Sequence, residues 1–339
     1  MDYMDFHERH FKSIQALRGI TALFIVLEHV RFLNCGAFGV DIFFCISGFM
    51  IMFSTHKSTE HFLSKRLIRI LPLYYLMTVF TYLLLLVFPE LFAVSSANAG
   101  FLIKSLLFIP FDIGDGVIQP LMRIGWTVNC EIFFYLLFMI ALRISHKYRG
   151  LLCSLLVGGV VLAAQSLPVS SVALSFYGNP VMLDFILGIL CYYAARWLYG
   201  LQEAGKLPGV SLPLSAVTAA GIFLAFLITK PYINILGFRR PLVWGLPSAV
   251  IVLCFFLLEF YVRMPKTIVK LGDISFSLYL LHYYPVTFLD RKIFDFGSCT
   301  PLSLAGVALA LGISVALSLV SYELIERRLS GWLRRKLLR

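Results

Sequence analysis

Long apolar runs dominate the chain and leave little sequence between them. A helix that crosses a bilayer needs roughly 20 mostly apolar residues. We place such runs at 14–33, 38–54, 70–88, 124–142, 150–167, 181–199, 211–228, 241–260, 273–289 and 302–322. Hydrophobic residues make up 60% of the sequence and charged residues 14%, unlike a soluble domain. We predict an all-α integral membrane protein, a bundle of about ten transmembrane helices in a single domain over residues 1–339.

The basic residues gather in alternate connections between these runs. With both termini in the cytoplasm, about 20 of the 29 lysines and arginines fall on the cytoplasmic side, as the positive-inside rule expects. A basic tail at about 323–339 contributes to this excess. The net charge of +11 therefore indicates topology rather than nucleic-acid binding. It also favours anionic lipid and anionic ligands at the cytoplasmic face.

Two ionisable side chains, Arg18 and His29, interrupt the first run. Eleven residues at about 100° per residue make three turns plus roughly 20°, so both side chains share one helix face, about 16 Å apart along the axis. Charged groups inside a membrane helix are costly and usually functional. Arg18 could hold phosphates at the cytoplasmic mouth, and His29 could transfer a proton. A snorkelling arginine and an interfacial histidine are the alternative.

A carboxylate in the second run lies at a depth similar to that of His29. Asp41 and His29 are each about six residues from the turn near Cys35 and Gly36, as an antiparallel hairpin requires. An aspartate beside a histidine fixes its tautomer and raises its basicity. We therefore predict a His29–Asp41 pair. Glu131, an intramembrane carboxylate in the fourth run, is the rival partner.

Two arginines precede the third run in the segment "FLSKRLIRILPLYY". Arg66 and Arg69 are three residues apart and share a helix face, and paired guanidinium groups suit a phosphorylated ligand. The positive-inside rule alone would also place them there. Tyr74 follows in the same segment, where an aromatic belt is the simpler interpretation.

Polar and aromatic residues inside the runs complete the set of candidates. Small residues such as Ser47 and Gly48 commonly permit close helix packing, and no G-x-S-x-G elbow marks Ser47 as a nucleophile. His282 lies near mid-membrane, and both a packing role and a catalytic role are left open for it. The remaining candidates are Trp126 and Tyr135, on either side of Glu131, and Tyr279.

The longest outer piece covers roughly 89–123 and contains the turn-forming segment "FDIGDGVIQP". Its apolar segment 101–111 is too short to cross the membrane, so we expect it to be re-entrant or interfacial. A piece of this size could shape an acceptor site. Cys35 and Cys299 both fall in outer loops, and a disulfide between them is left open.

Taken together, these segments resemble the membrane acyltransferase-3 family, the O-acyltransferases that modify bacterial glycans. The resemblance rests on the R-x10-H spacing of Arg18 and His29 and on "GVDIFFCISGF", "KRLIRILPLYY", "WTVNCEIFFY", "LGDISFSLYLLH" and "SYELIE", in this order over nearly the whole chain. The chain is similar to the stand-alone members, which lack an SGNH-type domain.

The resemblance implies an acyl-CoA donor used from the cytoplasm and a hydroxyl acceptor on a surface or lipid-linked glycan at the outer face of the bacterial inner membrane. Acetyl-CoA is the leading donor, with succinyl or another short chain open. It implies that the R-x10-H pair is essential, with His29 as general base. Direct transfer is favoured over a covalent acyl-enzyme on serine or cysteine, since no activated serine or cysteine is evident, and an acyl-histidine intermediate is left open.

The candidate residues then take three roles. Catalysis is assigned to His29, Asp41 and Glu131, and acyl-CoA binding to Arg18, Arg66, Arg69 and Tyr74. Trp126, Tyr135, Ser47, Tyr279 and His282 are assigned to the acceptor or to support of the site. No metal is expected, and the oligomeric state is open. The alternative class is a polytopic transporter or flippase, which would usually show internal repeats that we do not find in this sequence.

Overall fold

The computed structural model describes residues 6, 10–89, 98–114, 116–168, 171–206, 211–229 and 239–338. Within these ranges the regular structure is helical, and the only strand-like pairing is an isolated bridge between Asp112 and Ile118. The helices are α1 (Lys12–Glu28), α2 (Gly39–Ser54), α3 (Phe62–Val87), α4 (Ala99–Leu106), α5 (Trp126–Ile144), α6 (Arg149–Ser166), α7 (Val172–Tyr177), α8 (Leu183–Glu203), α9 (Ser211–Thr229), α10 (Leu246–Leu258), α11 (Lys266–Asp273), α12 (Ser275–Leu281), α13 (Tyr283–Lys292), α14 (Pro301–Ser321) and α15 (Ser330–Leu337).

Several of these helices are suited to a bilayer. In the described part of the chain, six helical stretches are long and apolar enough to cross one: Phe62–Val87, Arg123–Ile144, Arg149–Ser166, Pro180–Glu203, Pro241–Leu258 and Pro301–Leu337. Gly39–Ser54 and Pro213–Ile228 are shorter apolar helices. Large apolar side chains such as Leu83 and Leu86 are exposed, as lipid-facing residues are. The predicted all-α membrane fold is confirmed, and the count of ten crossings stays a prediction.

Helix α1 ends before the predicted limit of the first run at residue 33. The last helical residue is Glu28, and the backbone N–H groups of His29 and Val30 then bond to carbonyls only three residues back. The carboxylate of Glu28 accepts from the N–H groups of Gly36 (2.6 Å) and Ala37 (3.0 Å). Because this carboxylate closes the turn, His29 lies at the end of α1 rather than inside it.

Three other predicted runs differ at their ends. Helix α3 begins at Phe62 rather than at residue 70, so Arg66 and Arg69 lie inside it. The run 273–289 falls on the three segments α11, α12 and α13, although backbone hydrogen bonds continue across Ile274 and His282. Helix α14 continues beyond residue 322 through a π-helical turn into α15. In place of the segment 101–111, the structure has the eight-residue helix α4.

Close contacts between backbones fix the helices that build the site. Helices α2 and α8 meet at Gly48 and Gly188, where an added Cβ would lie 2.2 Å from the Phe185 carbonyl oxygen and 2.1 Å from that of Cys45. Small residues at such crossings allow this approach, as predicted for Gly48. At Gly272 an added Cβ would lie 1.9 Å from the Gln15 carbonyl oxygen, so α11 lies directly against the start of α1.

Candidate active site

One cavity between α1, α2, α3, α5 and α12 contains most of the predicted site residues. Its polar and aromatic lining includes Arg18, Ser47, Arg66, Arg69, Glu131, Tyr135 and Tyr279. We call this space the arginine cavity. Four helices and the interrupted segment 266–292 contribute to it, so residues far apart in sequence meet here.

The three arginines of this cavity make few polar contacts with the rest of the protein. The guanidinium of Arg18 donates one long hydrogen bond of 3.5 Å to Gln15 Oε1, and Gln15 in turn donates to Asp273 Oδ1 at 2.9 Å. Arg66 donates to Ser54 Oγ at 2.6 Å. Within the described ranges no ion pair joins Arg18, Arg66 or Arg69 to a carboxylate. Guanidinium groups placed in this way can bind an anion with planar, bidentate geometry.

Glu131 lies in the same cavity and is held by two hydroxyl groups. Ser47 Oγ donates to its Oε1 at 2.9 Å, and the hydroxyl of Tyr135, one turn further along α5, donates to the same oxygen. Glu131 is also one of the carboxylates that act electrostatically on Arg18, with Glu326 of the π-helical turn after α14. Glu131 therefore offsets part of the positive charge of the cavity and does not contact His29.

His29 pairs with a second histidine. Its Nδ1 lies 2.9 Å from the Ile25 carbonyl oxygen and 3.1 Å from Nε2 of His282. Nδ1 of His282 lies 2.9 Å from the Leu278 carbonyl oxygen. Because a carbonyl oxygen only accepts, each Nδ1 carries the proton when the ring is neutral. His29 Nδ1–H is then shared between Ile25 and His282, which leaves Nε2 of His29 as the basic nitrogen.

A second cavity of about 440 Å³ opens beside His29, within the size range of ligand-binding pockets. It is lined by Glu28, His29, Arg31, Asn34, Arg123, Tyr283, Thr287, Asp290 and Arg291, and we call it the histidine cavity. Tyr279 lines the arginine cavity, and its ring centroid lies 6.1 Å from that of His282. Buried Tyr279 and His282 therefore lie between the two cavities.

The profile of a protein family described as "Acyltransferase domain" matches residues 11–323. The chain belongs to the acyltransferase-3 family. It is 28% identical over 304 residues to the exopolysaccharide production protein ExoZ of Rhizobium meliloti (strain 1021), covering 87% of this chain and 89% of the relative. It is 24% identical over 322 residues to the O-acetyltransferase OatA of Staphylococcus aureus (strain NCTC 8325 / PS 47), covering 83% of this chain and 51% of the relative.

A third relative, the protein YrhL of Bacillus subtilis (strain 168), is 27% identical over 362 residues, covering 95% of this chain and 55% of the relative. The chain thus spans about half the length of two of these three relatives. No solved structure matches it. Family membership makes this membrane protein an acyltransferase, as the sequence motifs predicted.

The predicted contact between His29 and Asp41 in this acyltransferase is wrong. Asp41 is fully buried, and its two oxygens accept from Nε (3.0 Å) and Nη2 (2.8 Å) of Arg240. Arg240 also donates to the Ala37 carbonyl oxygen at 3.3 Å and lies over the Trp244 ring. Asp41 lies in the first turn of α2, but its side chain is directed toward Arg240 rather than toward His29.

Two aromatic candidates lie outside both cavities. Tyr74, predicted to bind acyl-CoA, is fully buried and donates its hydroxyl to the Ser105 carbonyl oxygen at 3.0 Å, with Asn129 Oδ1 at 3.2 Å. It packs α3 against α4 and α5 and does not reach the arginine cavity. Trp126 is half-buried and meets the ring of Phe44 edge-on, with centroids 6.4 Å apart.

The sequence missed the partner of Asp41 and, apart from His29, the lining of the histidine cavity. Arg240 stands at the start of a predicted run, and the presence of Asp41 in another run was the signal, because a carboxylate inside a membrane needs a cationic partner. Arg123 lines the histidine cavity at the end of the long outer piece. Nothing in its local sequence distinguished it from a charge at a helix end. Cys35 and Cys299 are not joined by a disulfide.

Proposed function

We propose that the chain transfers a short acyl group, acetyl as the leading candidate, from cytoplasmic acyl-CoA to a hydroxyl of a surface or lipid-linked glycan at the outer face of the membrane. The observation that carries the proposal is the placement of two cavities at opposite ends of the Arg18–His29 face. One is lined by three arginines, and the other is lined by His29. Buried Tyr279 and His282 lie between them.

The donor side is supported by the charge of the arginine cavity. Arg18, Arg66 and Arg69 are not neutralised by ion pairs within the described ranges, and they match the phosphates of coenzyme A. The basic helix α15 adds positive charge here. Its Ser330 hydroxyl donates to the Ile68 carbonyl oxygen at 2.9 Å, which anchors α15 between the positions of Arg66 and Arg69.

The distance between the two ends of α1 suits the pantetheine arm of the donor. Arg18 and His29 are about 16 Å apart along the helix axis, a length comparable to that arm. With the phosphates at the arginines, the arm would run past Ser47 and Tyr279 and bring the thioester to His29. The nucleotide would stay at the cytoplasmic mouth, where positive charge is concentrated.

His29 then acts as general base in a direct transfer. Nε2 of His29 takes the proton of the acceptor hydroxyl as its oxygen attacks the thioester carbonyl carbon. The carbon–sulfur bond breaks, and the coenzyme A thiolate leaves and recovers the proton from His29. His282 accepts the Nδ1–H bond, which holds the ring in the correct tautomer and spreads the positive charge that forms.

The relatives support the acceptor and the acyl group. ExoZ is named for exopolysaccharide production and OatA as an O-acetyltransferase. For the present chain, a glycan hydroxyl and an acetyl group are accordingly the first choices to test.

Incubation of the detergent-purified protein with radiolabelled acetyl-CoA and host glycans tests the proposal. We expect ester-linked label on the glycan with wild type and none with His29→Ala, while His29→Ala still binds coenzyme A. Glycan export in vesicles without any acyl transfer would instead assign the chain to the transporters.

A further inference from the structure

The charged side chains of the histidine cavity are unequally engaged by the protein. The carboxylate of Glu28 accepts from the backbone N–H groups of Gly36 and Ala37. Both oxygens of Asp290 accept from Arg31, at 2.8 and 2.9 Å. These two carboxylates already accept hydrogen bonds within the protein, so each of them interacts less strongly with a bound ligand.

The cations of this cavity fall into two groups. Arg31 is bound twice, because Asp295 also accepts from it at 2.6 Å. Arg123 is exposed and lines the same cavity as His29, and no hydrogen bond or ion pair holds its guanidinium within the described ranges. Arg291 also lines the cavity. Arg123 is therefore the cationic side chain of this cavity that can bind an anionic ligand.

The backbone of Arg123 is firmly placed, although its guanidinium has no hydrogen-bond partner in the described part of the chain. Arg123 opens the short 3-10 turn Arg123–Gly125, and its neighbours Ile124 and Gly125 are buried. The Ile124 carbonyl oxygen accepts from the hydroxyl of Tyr279 at 2.9 Å. This turn is therefore held against Tyr279, one of the buried residues that lie between the two cavities.

We propose that Arg123 binds an anionic oxygen group of the acceptor, a sugar carboxylate or a phosphate, close to the hydroxyl that is acylated. The acceptor is then an acidic glycan rather than a neutral one. This inference rests on the proposed function, because it takes the histidine cavity as the acceptor site. Arginine is suited to the role, since its planar fork binds carboxylate and phosphate alike.

Binding of an acidic acceptor at Arg123 would also change the basicity of His29. Arg123 and His29 line the same cavity, and a nearby cation opposes the positive charge that the imidazole takes up with the proton. An anion bound to Arg123 cancels this repulsion. An acidic acceptor would therefore both orient its hydroxyl and strengthen the base that activates it.

The first experiment locates the acyl ester on the host's surface glycans by mass spectrometry, in cells with and without the gene. We expect the ester on a sugar that carries an anionic group or is linked to one that does. An ester within a neutral stretch of glycan would overturn the inference and leave the proposed function standing. The same ester pattern in both strains would overturn the proposed function itself.

The second experiment uses the purified full-length protein, acetyl-CoA, and the native glycan beside its carboxyl-reduced and phosphate-free derivatives. We expect Arg123→Ala to raise the KM for the native acceptor at least about tenfold, as loss of a charge-assisted contact does. For the derivative that lacks the recognised anion, we expect the same KM in wild type and Arg123→Ala. The carboxyl-reduced and phosphate-free arms identify which anion is bound. Arg263→Ala removes an exposed charge between α10 and α11 and serves as the matched control.

Arg123→Lys keeps the charge without the fork, and we expect partial recovery of the acceptor KM. An equal loss of kcat for the charged and neutral acceptors would contradict the inference, because it would assign Arg123 to the reacting carbonyl oxygen or to the fold. Unchanged kinetics in Arg123→Ala would contradict it as well.

Discussion

His29 Nδ1 and His282 Nε2 lie 3.1 Å apart, although 253 residues separate them in the chain. Each ring also faces a carbonyl oxygen one helical turn back, from Ile25 and Leu278. The two contacts together assign both tautomers, and they leave Nε2 as the basic nitrogen of His29. The pair therefore takes the place in which a His–carboxylate pair was expected.

The roles of these two histidines predict unequal and non-additive losses. We expect His29→Ala to lower kcat by about 10²–10⁴-fold, the usual contribution of a general base. His282→Ala should lower kcat less, because it removes only the group that orients the base. The double variant should be little worse than His29→Ala, since residues that act as a unit are non-additive. Turnover of the four proteins at saturating donor measures this, and fully additive losses would show that the rings act separately.

The ion pair between buried Asp41 and half-buried Arg240 predicts a loss of stability rather than of chemistry. Asp41→Ala removes the carboxylate that accepts from Nε and Nη2 of Arg240, and loss of hydrogen bonds to a charged group costs about 1.5–3 kcal/mol. We expect a lower thermal midpoint, with the activity of the remaining folded protein largely kept. The double variant Asp41→Leu with Arg240→Met should be more stable than either single variant. A selective fall in kcat in stable Asp41→Asn protein would restore Asp41 to the catalytic group.

The arginine cavity predicts a graded loss of donor affinity. Arg18→Lys should weaken binding of coenzyme A, and Arg18→Ala should weaken it more, because lysine keeps the charge but not the bidentate fork. Arg69→Ala should follow the same trend. Equilibrium binding to the purified variants measures this, with Arg143→Ala at the exposed end of α5 as control. Equal affinity of wild type and Arg18→Ala would remove Arg18 from the donor site.

The crossing of α2 and α8 predicts opposite effects of the same substitution at two glycines. In Gly188→Ala the new methyl group would lie 2.1 Å from the Cys45 carbonyl oxygen, so the helices must separate and the yield of folded protein should fall sharply. Gly158 in α6 has nothing within 4 Å of an added Cβ. Gly158→Ala should therefore stabilise the protein by about 0.4–1 kcal/mol through the unfolded chain. Thermal unfolding in one detergent compares the two, and similar midpoints would mean that the crossing can relax.

The sequence predicted the helical segments well and the direction of individual side chains poorly. Apolar runs indicated most of the helices, and the three-residue spacing of Arg66 and Arg69 placed both on the cavity side of α3. Asp41 lies in α2 as expected, but the direction of its side chain depends on how α2 is rotated about its axis. The partner of His29 comes from a distant segment, and no local pattern specifies such a contact.

Tyr279 and His282 lie between the two cavities, and their packing bears on how an enzyme that takes its donor from one membrane face and its acceptor from the other would affect ion gradients. Tyr279 is 9% exposed and His282 is 0% exposed, and the Tyr279 hydroxyl is already occupied by Thr127 and Ile124. Two aqueous openings joined by a continuous file of water would leak protons at every turnover. Packed rings between the two cavities would interrupt such a file of water, so passage of the thioester arm would require these side chains to move aside only briefly. The side chains that line the path of the acyl group would then also limit proton leakage and so preserve the membrane potential.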